Sequence, residues 1–169
     1  MKKEVLYSEV QRFTQFWIWI PIFAVNGFVM FGVYKQMVLG ELFLENSFSN
    51  RGLLLFFVFM VLFMVFFIFM KLETIVSRDG IFVRFFPIHL KYRFFKWDDV
   101  DKAYIRKYNA IFEYGGWGIK YSLGGKGKAY NVSGNMGLQI EFKNGEKILI
   151  GTKNPDKLRY VFEDSLKFN

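Results

Sequence analysis

Along the first 72 positions, polar side chains retreat to the ends of two long apolar stretches. Residues 53–70 (LLLFFVFMVLFMVFFIFM) carry no polar group beyond methionine thioethers, so a helix built from them has no polar face. At 1.5 Å per residue they reach about 27 Å, close to the roughly 30 Å hydrocarbon core of a bilayer. Residues 16–33 (FWIWIPIFAVNGFVMFGV) form a second stretch, interrupted by Pro21, Asn26, Gly27 and Gly32. Membrane helices tolerate such residues, and Trp17, Trp19 and Tyr34 suit the two interfacial belts. The pattern predicts a transmembrane hairpin over residues 1–72, with helices at about 13–34 and 53–72. A cleaved signal peptide fits less well, because Glu4, Glu9 and Arg12 follow Lys2 and Lys3 and no small-x-small site flanks the apolar run. Asn26, Gly27 and Gly32 suit a helix–helix contact, where an amide hydrogen-bonds and glycine admits a close backbone. Either the second helix of the hairpin or another copy of the chain could supply the partner.

From residue 73 the period changes to two. Residues 73–77, 81–86, 90–95 and 102–108 read as strands, with turns at Asp79-Gly80 and Pro87-Ile88-His89. Leu138, Ile140 and Phe142 alternate with Gln139, Glu141 and Lys143, and Asn144-Gly145 predicts a type I′ turn into a strand over 147–150. Asn154-Pro155 then reads as a helix start, followed by an apolar stripe of Leu158, Val161, Phe162, Ser165 and Leu166. The expected domain, residues 73–169, is an antiparallel sheet of six or seven strands closed by one C-terminal amphipathic helix.

Composition sharpens this division. Fourteen of the 23 Phe precede residue 73, whereas 18 of the 23 Lys and Arg lie from Lys71 onward, in a chain of net charge +8. The absence of Cys removes disulfides, thiol catalysis and iron–sulfur ligation. Lys2, Lys3 and Arg12 precede the hairpin and Lys71 and Arg78 follow it, while Lys35 and Arg51 in the connecting loop are balanced by Glu41 and Glu45. The positive-inside rule then places both termini in the cytoplasm, as a multi-pass protein of the inner (plasma) membrane.

The segments "VSRDGIFVRF", "KYRFFKWDDVDKAYIRKY", "EYGGWGIKY" and "GLQIEFKNGEKILIGTKNPDKL", behind paired apolar helices, resemble bacterial pleckstrin-homology-like (PH-like) domain proteins. The resemblance covers about residues 71–166. It implies a membrane protein of α+β class: two transmembrane helices, then an antiparallel split β-barrel capped by a C-terminal α-helix. It implies no enzymatic reaction.

The chemistry-bearing patterns are few. A two- or four-residue turn near Pro87 would set Arg84 opposite Arg93 and Phe86 opposite Lys91 on one face, with Phe85 opposite Tyr92 and Val83 opposite Phe94 on the other. Facing cations invite an anion between them. Arg84, Lys91 and Arg93, together with Lys126 and Lys128 of the glycine-rich stretch that would face solvent or an anionic surface, are candidates for anionic lipid or partner binding. Residues 113–137 hold eight glycines, and Tyr114, Gly115, Gly116, Trp117, Gly118 and Tyr130 make an aromatic and glycine-rich loop surface. A P-loop ending at Gly127-Lys128 fails at Ser122 and Ala129, and a dinucleotide fingerprint from Gly116 fails at Tyr121. Asp98, Asp99 and Asp101 read as turn carboxylates, and His89 has no evident catalytic partner. No catalytic residue, metal ligand or cofactor is expected. The scattered cations suit an anionic leaflet better than nucleic acid. The expectation is a non-enzymatic, membrane-anchored binding or assembly module in contact with membrane lipid, a membrane-protein partner or its own copies. The alternative is a structural subunit of a larger membrane complex with purely protein contacts.

Overall fold

The computed structural model of the chain describes residues 4–44, 49–122 and 124–166, with backbone alone for 163–166. Lys2, Lys3, Glu45 and the side chains of Ser165 and Leu166, on which parts of the sequence reading fall, lie outside the described residues. The fold is α+β: two long apolar helices near the N-terminus, followed by sheets. It divides into one unit spanning Phe13–Phe69 and another that joins the residues up to Arg12 with those from Met70 onward.

The first unit is a helical hairpin, α1 (Phe16–Met37) and α2 (Asn50–Phe69), both long and apolar enough to cross a membrane. Most of their large side chains are exposed, an arrangement that a membrane-spanning pair would have. The hairpin packs by aromatic contact: Phe13 and Trp19 of the first arm meet Phe67 at 5.1 and 6.1 Å between ring centroids. Asn26, Val29 and Gly32 are the buried residues of α1, on one stripe of the helix. The Asn26 amide donates to the Ile22 carbonyl of its own helix at 2.8 Å, and its buried Oδ1 has no hydrogen-bond partner among the described residues. A Cβ on Gly32 would meet the Phe43 ring at 2.6 Å, so that glycine makes room for the loop aromatic. Gly27 faces outward with open space around it.

The second unit begins with a strand that the hydrophobic pattern does not announce. β1 (Val5–Arg12) pairs antiparallel with β2 (Lys71–Ser77), Arg12 opposite Lys71. The sheet continues through β3 (Gly80–Phe86) to β4 (Arg93–Lys96), in the order β1-β2-β3-β4. The boundary expected at residue 72 thus misassigned the N-terminus. The hairpin is an insertion between two neighbouring strands of one sheet.

A second sheet contains β5 (Val100–Lys107), β6 (Gly118–Tyr121), β7 (Lys128–Asn131), β8 (Met136–Phe142) and β9 (Lys147–Gly151), in the order β5-β8-β9-β7-β6. The β7–β9 pair is parallel, so the sheets are not wholly antiparallel, and the described strands number nine against the expected six or seven. Neither sheet closes on itself. Leu72, Val83, Phe85, Leu138, Ile140 and Leu149 are wholly buried, each contributing roughly 1.5–3 kcal/mol by leaving water.

The β8–β9 connection departs from a type I′ turn. Phe142 N–H donates to the Glu146 carbonyl and Gly145 N–H to the Phe142 carbonyl, both at 2.9 Å, with Gly145 at φ +86°. This three-residue loop puts the glycine in the left-handed position. The terminal helix, α4 (Pro155–Leu166), starts after Asn154 as expected, buries Leu158 and sets the Phe162 ring edge-on to Trp97 at 5.3 Å.

β1 is held to the second sheet by polar groups. Glu9, 8% exposed, accepts hydrogen bonds from the Tyr7 hydroxyl (2.6 Å), the Thr152 hydroxyl (2.7 Å), the Lys153 backbone N–H (2.8 Å) and the Asn154 amide (3.4 Å). Gln11 donates to the Gly151 carbonyl at 2.6 Å. Burial, followed by the bond to Glu9, pushes the Tyr7 hydroxyl pKa far up, so it stays a donor. A carboxylate satisfied this way at the entrance to α4 also meets the positive end of the helix.

Candidate functional site

The cations singled out by sequence fall into three different environments. Arg84 lies opposite Glu73 in the β2–β3 register and pairs with it through Nε, while its guanidinium stacks on Tyr92 at 4.4 Å. Glu73, 6% exposed, also takes the Lys71 ammonium at 2.7 Å and the Tyr92 hydroxyl at 3.0 Å. Burial alone would raise the Glu73 pKa, but bonds from Arg84, Lys71 and Tyr92 outweigh it and hold the carboxyl at about 2. Arg84 is therefore committed to an internal ion pair.

The expected Arg84–Arg93 pair does not form, because the β3–β4 register is shifted by one residue. Val83 lies opposite Arg93 and Phe82 opposite Phe94, where the two rings stack at 4.4 Å. The chain doubles back through residues 87–92, with His89 N–H donating to the Phe85 carbonyl at 2.8 Å. That connection is longer than the tight turn from which the register was inferred, and the Phe86–Lys91, Phe85–Tyr92 and Val83–Phe94 pairings fail with it.

Lys91 on this connection and Arg93 at the start of β4 remain exposed, and Lys128 of the other sheet, like Arg93, bears electrostatically on His89. The His89 ring meets buried Tyr130 edge-on at 5.8 Å between centroids. Lys128 Nζ lies 5.0 Å from the Tyr130 centroid and 5.0 Å from that of Tyr121. Burial lowers the His89 pKa first, and the charges of Arg93 and Lys128 lower it further. Two cations distant in sequence thus bear on one imidazole. The same connection exposes Ile88 (52%) and Leu90 (74%), which sequence reasoning passed over. The readable trace was their alternation with His89 and Lys91 in a turn that an ordinary loop would fill with small polar residues.

Lys126 belongs elsewhere. It pairs with Glu113 at 3.1 Å, and Arg106 pairs with the same carboxylate oxygen at 2.8 Å. Burial pushes the Glu113 pKa up, but the Asn109 backbone N–H, Lys126 and Arg106 together leave it lowered. Glu113 sits on α3 (Ala110–Tyr114), a short helix that overlaps the start of the stretch 113–137 read from sequence as a glycine-rich loop. Asn109 caps it, its Oδ1 accepting from Ile111 and Phe112 N–H at 3.1 Å. Gly115 ends it at φ +72°, with Gly115 N–H on the Ile111 carbonyl and Gly116 N–H on the Ala110 carbonyl at 2.8 Å.

Much of the aromatic and glycine-rich loop is therefore structural. Tyr114 is buried against Tyr108 and accepts from Arg106 Nη2 at 3.0 Å; Trp117 packs on the same cluster; and Gly118 opens β6 with its N–H on Asn131. Beside α3 lies an open concavity of about 470 Å³ lined by Lys107, Tyr108, Asn109, Ile111, Trp117 and Asn135, among others. Ile111 (57%) and Phe112 (89%) stand exposed on the helix. Among the described residues, no three His, Asp or Glu side chains converge as a metal site would require. No protein-family model, curated protein or solved structure matches the chain.

Proposed function

We propose that the chain is a non-enzymatic, membrane-anchored binding or assembly module. Its helical hairpin spans the inner membrane of a bacterial cell, and its sheet domain, PH-like in character, contacts anionic lipid at the cytoplasmic face. The observation that carries this reading is the pairing of Arg12 with Lys71 on adjacent strands. A hairpin that leaves and re-enters one sheet at neighbouring positions returns to the side from which it started. Both ends then lie against the same leaflet, the one to which the flanking cations assign the cytoplasm. The PH-like reading is supported by two sheets, of four and five strands, followed by a terminal helix. Lys91, Arg93 and Lys128 supply the cations, each contributing roughly 1 kcal/mol of attraction near an anionic surface. Tethering keeps even weak contacts occupied.

The test is native mass spectrometry of the full-length protein released from membranes of mixed lipid. The reading predicts retained anionic phospholipid that is depleted by Lys91→Glu, Arg93→Glu and Lys128→Glu together. Equal retention of anionic and zwitterionic lipid by both proteins would contradict it.

A second reading, a structural subunit with protein contacts, draws on the exposed Ile111 and Phe112 beside the concavity. It predicts a stoichiometric membrane-protein partner in mild detergent that Phe112→Asp releases while the lipid-facing triple substitution does not.

A further inference from the structure

We propose that the β3–β4 connection is a second membrane contact, in which Ile88 and Leu90 enter the interfacial zone of the leaflet while Lys91, Arg93 and Lys128 meet phospholipid phosphates. This rests on the membrane-anchored reading above and adds an apolar component to it. The register supplies the placement. Arg12, Lys71 and Phe86 lie side by side across β1, β2 and β3, so residues 87–92 extend from the same strand ends that continue into the two helices. An apolar pair exposed at that end has a bilayer as its nearest large apolar phase, once the helices span.

The composition of the connection fits an interface. Leu90 and Ile88 are exposed, Lys91 and Arg93 follow directly, and Tyr121, 68% exposed, lies against Lys128. Apolar tips rimmed by cations and an amphipathic ring match the gradient from acyl chain to headgroup. The connection is also braced. His89 rests on Tyr130, and Arg84 Nη1 donates to the Leu90 carbonyl at 3.5 Å while its Nε holds Glu73. Little ordering remains to oppose insertion.

The chain has no cysteine, so single cysteines can be labelled uniquely in the full-length protein. Leu90→Cys, Phe59→Cys on α2 and Asp79→Cys are each labelled with an environment-sensitive fluorophore. They are reconstituted in phosphatidylglycerol-containing vesicles with or without spin-labelled acyl chains. Asp79 lies in the turn at the opposite end of β2, about 20 Å along the strand. The proposal predicts a blue-shifted Leu90→Cys signal that the spin labels reduce at least about twofold, as for an interfacially buried group. Phe59→Cys is quenched and Asp79→Cys is not. Exchanging phosphatidylglycerol for phosphatidylcholine weakens the quenching at Leu90→Cys alone. Quenching at Phe59→Cys with none at Leu90→Cys leaves the anchor standing and overturns this inference. No quenching at Phe59→Cys removes both. A Leu90→Cys signal indifferent to lipid charge overturns the phosphate contacts.

Discussion

Two arginines on one hairpin, nine residues apart, do opposite work. Arg84 is one of three donors to a carboxylate that is 6% exposed, whereas Arg93 stands in the open beside His89. Removing Arg84 leaves Glu73 with a weaker set of partners in a dry site. Arg84→Ala is therefore expected to cost about 2–4 kcal/mol, against under about 0.5 kcal/mol for Arg93→Ala, in denaturant unfolding of the detergent-solubilised protein. The acid response follows from the direction of the Glu73 shift. A carboxyl held at about 2, against 4.5 unperturbed, stabilises the fold fully above pH 4.5 and loses that contribution as pH falls toward 2. The shift corresponds to about 3 kcal/mol. The stability difference between the native protein and Glu73→Gln should accordingly shrink across that window, as read by thermal melts at stepped pH. A difference that is constant from pH 7 to 2.5 would refute the assignment.

At the scale of elements, the strand before the hairpin determines what the domain is. Its inward positions are Tyr7, Glu9 and Gln11 and its outward ones include Val5 and Val10, the reverse of the usual apolar-in alternation. A pattern search for buried strands therefore passes over it, and only the partners at Thr152, Lys153 and Gly151 make its polar face intelligible. The helices were legible because nothing polar interrupts α2 beyond Gly52, and β8, β9 and α4 because Asn144-Gly145 marks a turn and Asn154-Pro155 a helix start, although the turn is not of the type expected. The β3–β4 register was not legible, since a one-residue slip depends on the length of a connection that the local sequence leaves open. The same slip removed Arg84 from the candidate site and left Lys91 and Arg93 in it. Lys128 bears on the same site only because His89 of the connection packs on Tyr130 of the other sheet. Two outcomes follow from the role of β1. A chain beginning at residue 71 should fail to give a cooperative melt, whereas one in which Asn-Gly replaces residues 13–70 should fold, because Arg12 and Lys71 are already paired. Glu9→Leu, which takes the acceptor from the Lys153 N–H and the Asn154 amide and leaves the Tyr7 and Thr152 hydroxyls only each other, should cost about 2–3 kcal/mol and speed proteolysis near α4.

For the whole molecule, the insertion of an apolar hairpin between adjacent strands couples folding to topology. On the proposed membrane-spanning reading, the N-terminal strand must be on the same side of the bilayer as the rest of its sheet before β1 can pair with β2. A hairpin that inserted only one helix would separate β1 from β2 and leave Glu9's partners empty. The most direct measurement is labelling with a membrane-impermeant thiol reagent in intact cells, on full-length proteins bearing one cysteine each at Glu4, Leu42 and Asp79. The account predicts that Leu42→Cys reacts from outside, and that Glu4→Cys and Asp79→Cys react only after the membrane is opened. Glu4→Cys and Asp79→Cys on opposite sides, or Leu42→Cys sharing their side, would contradict it.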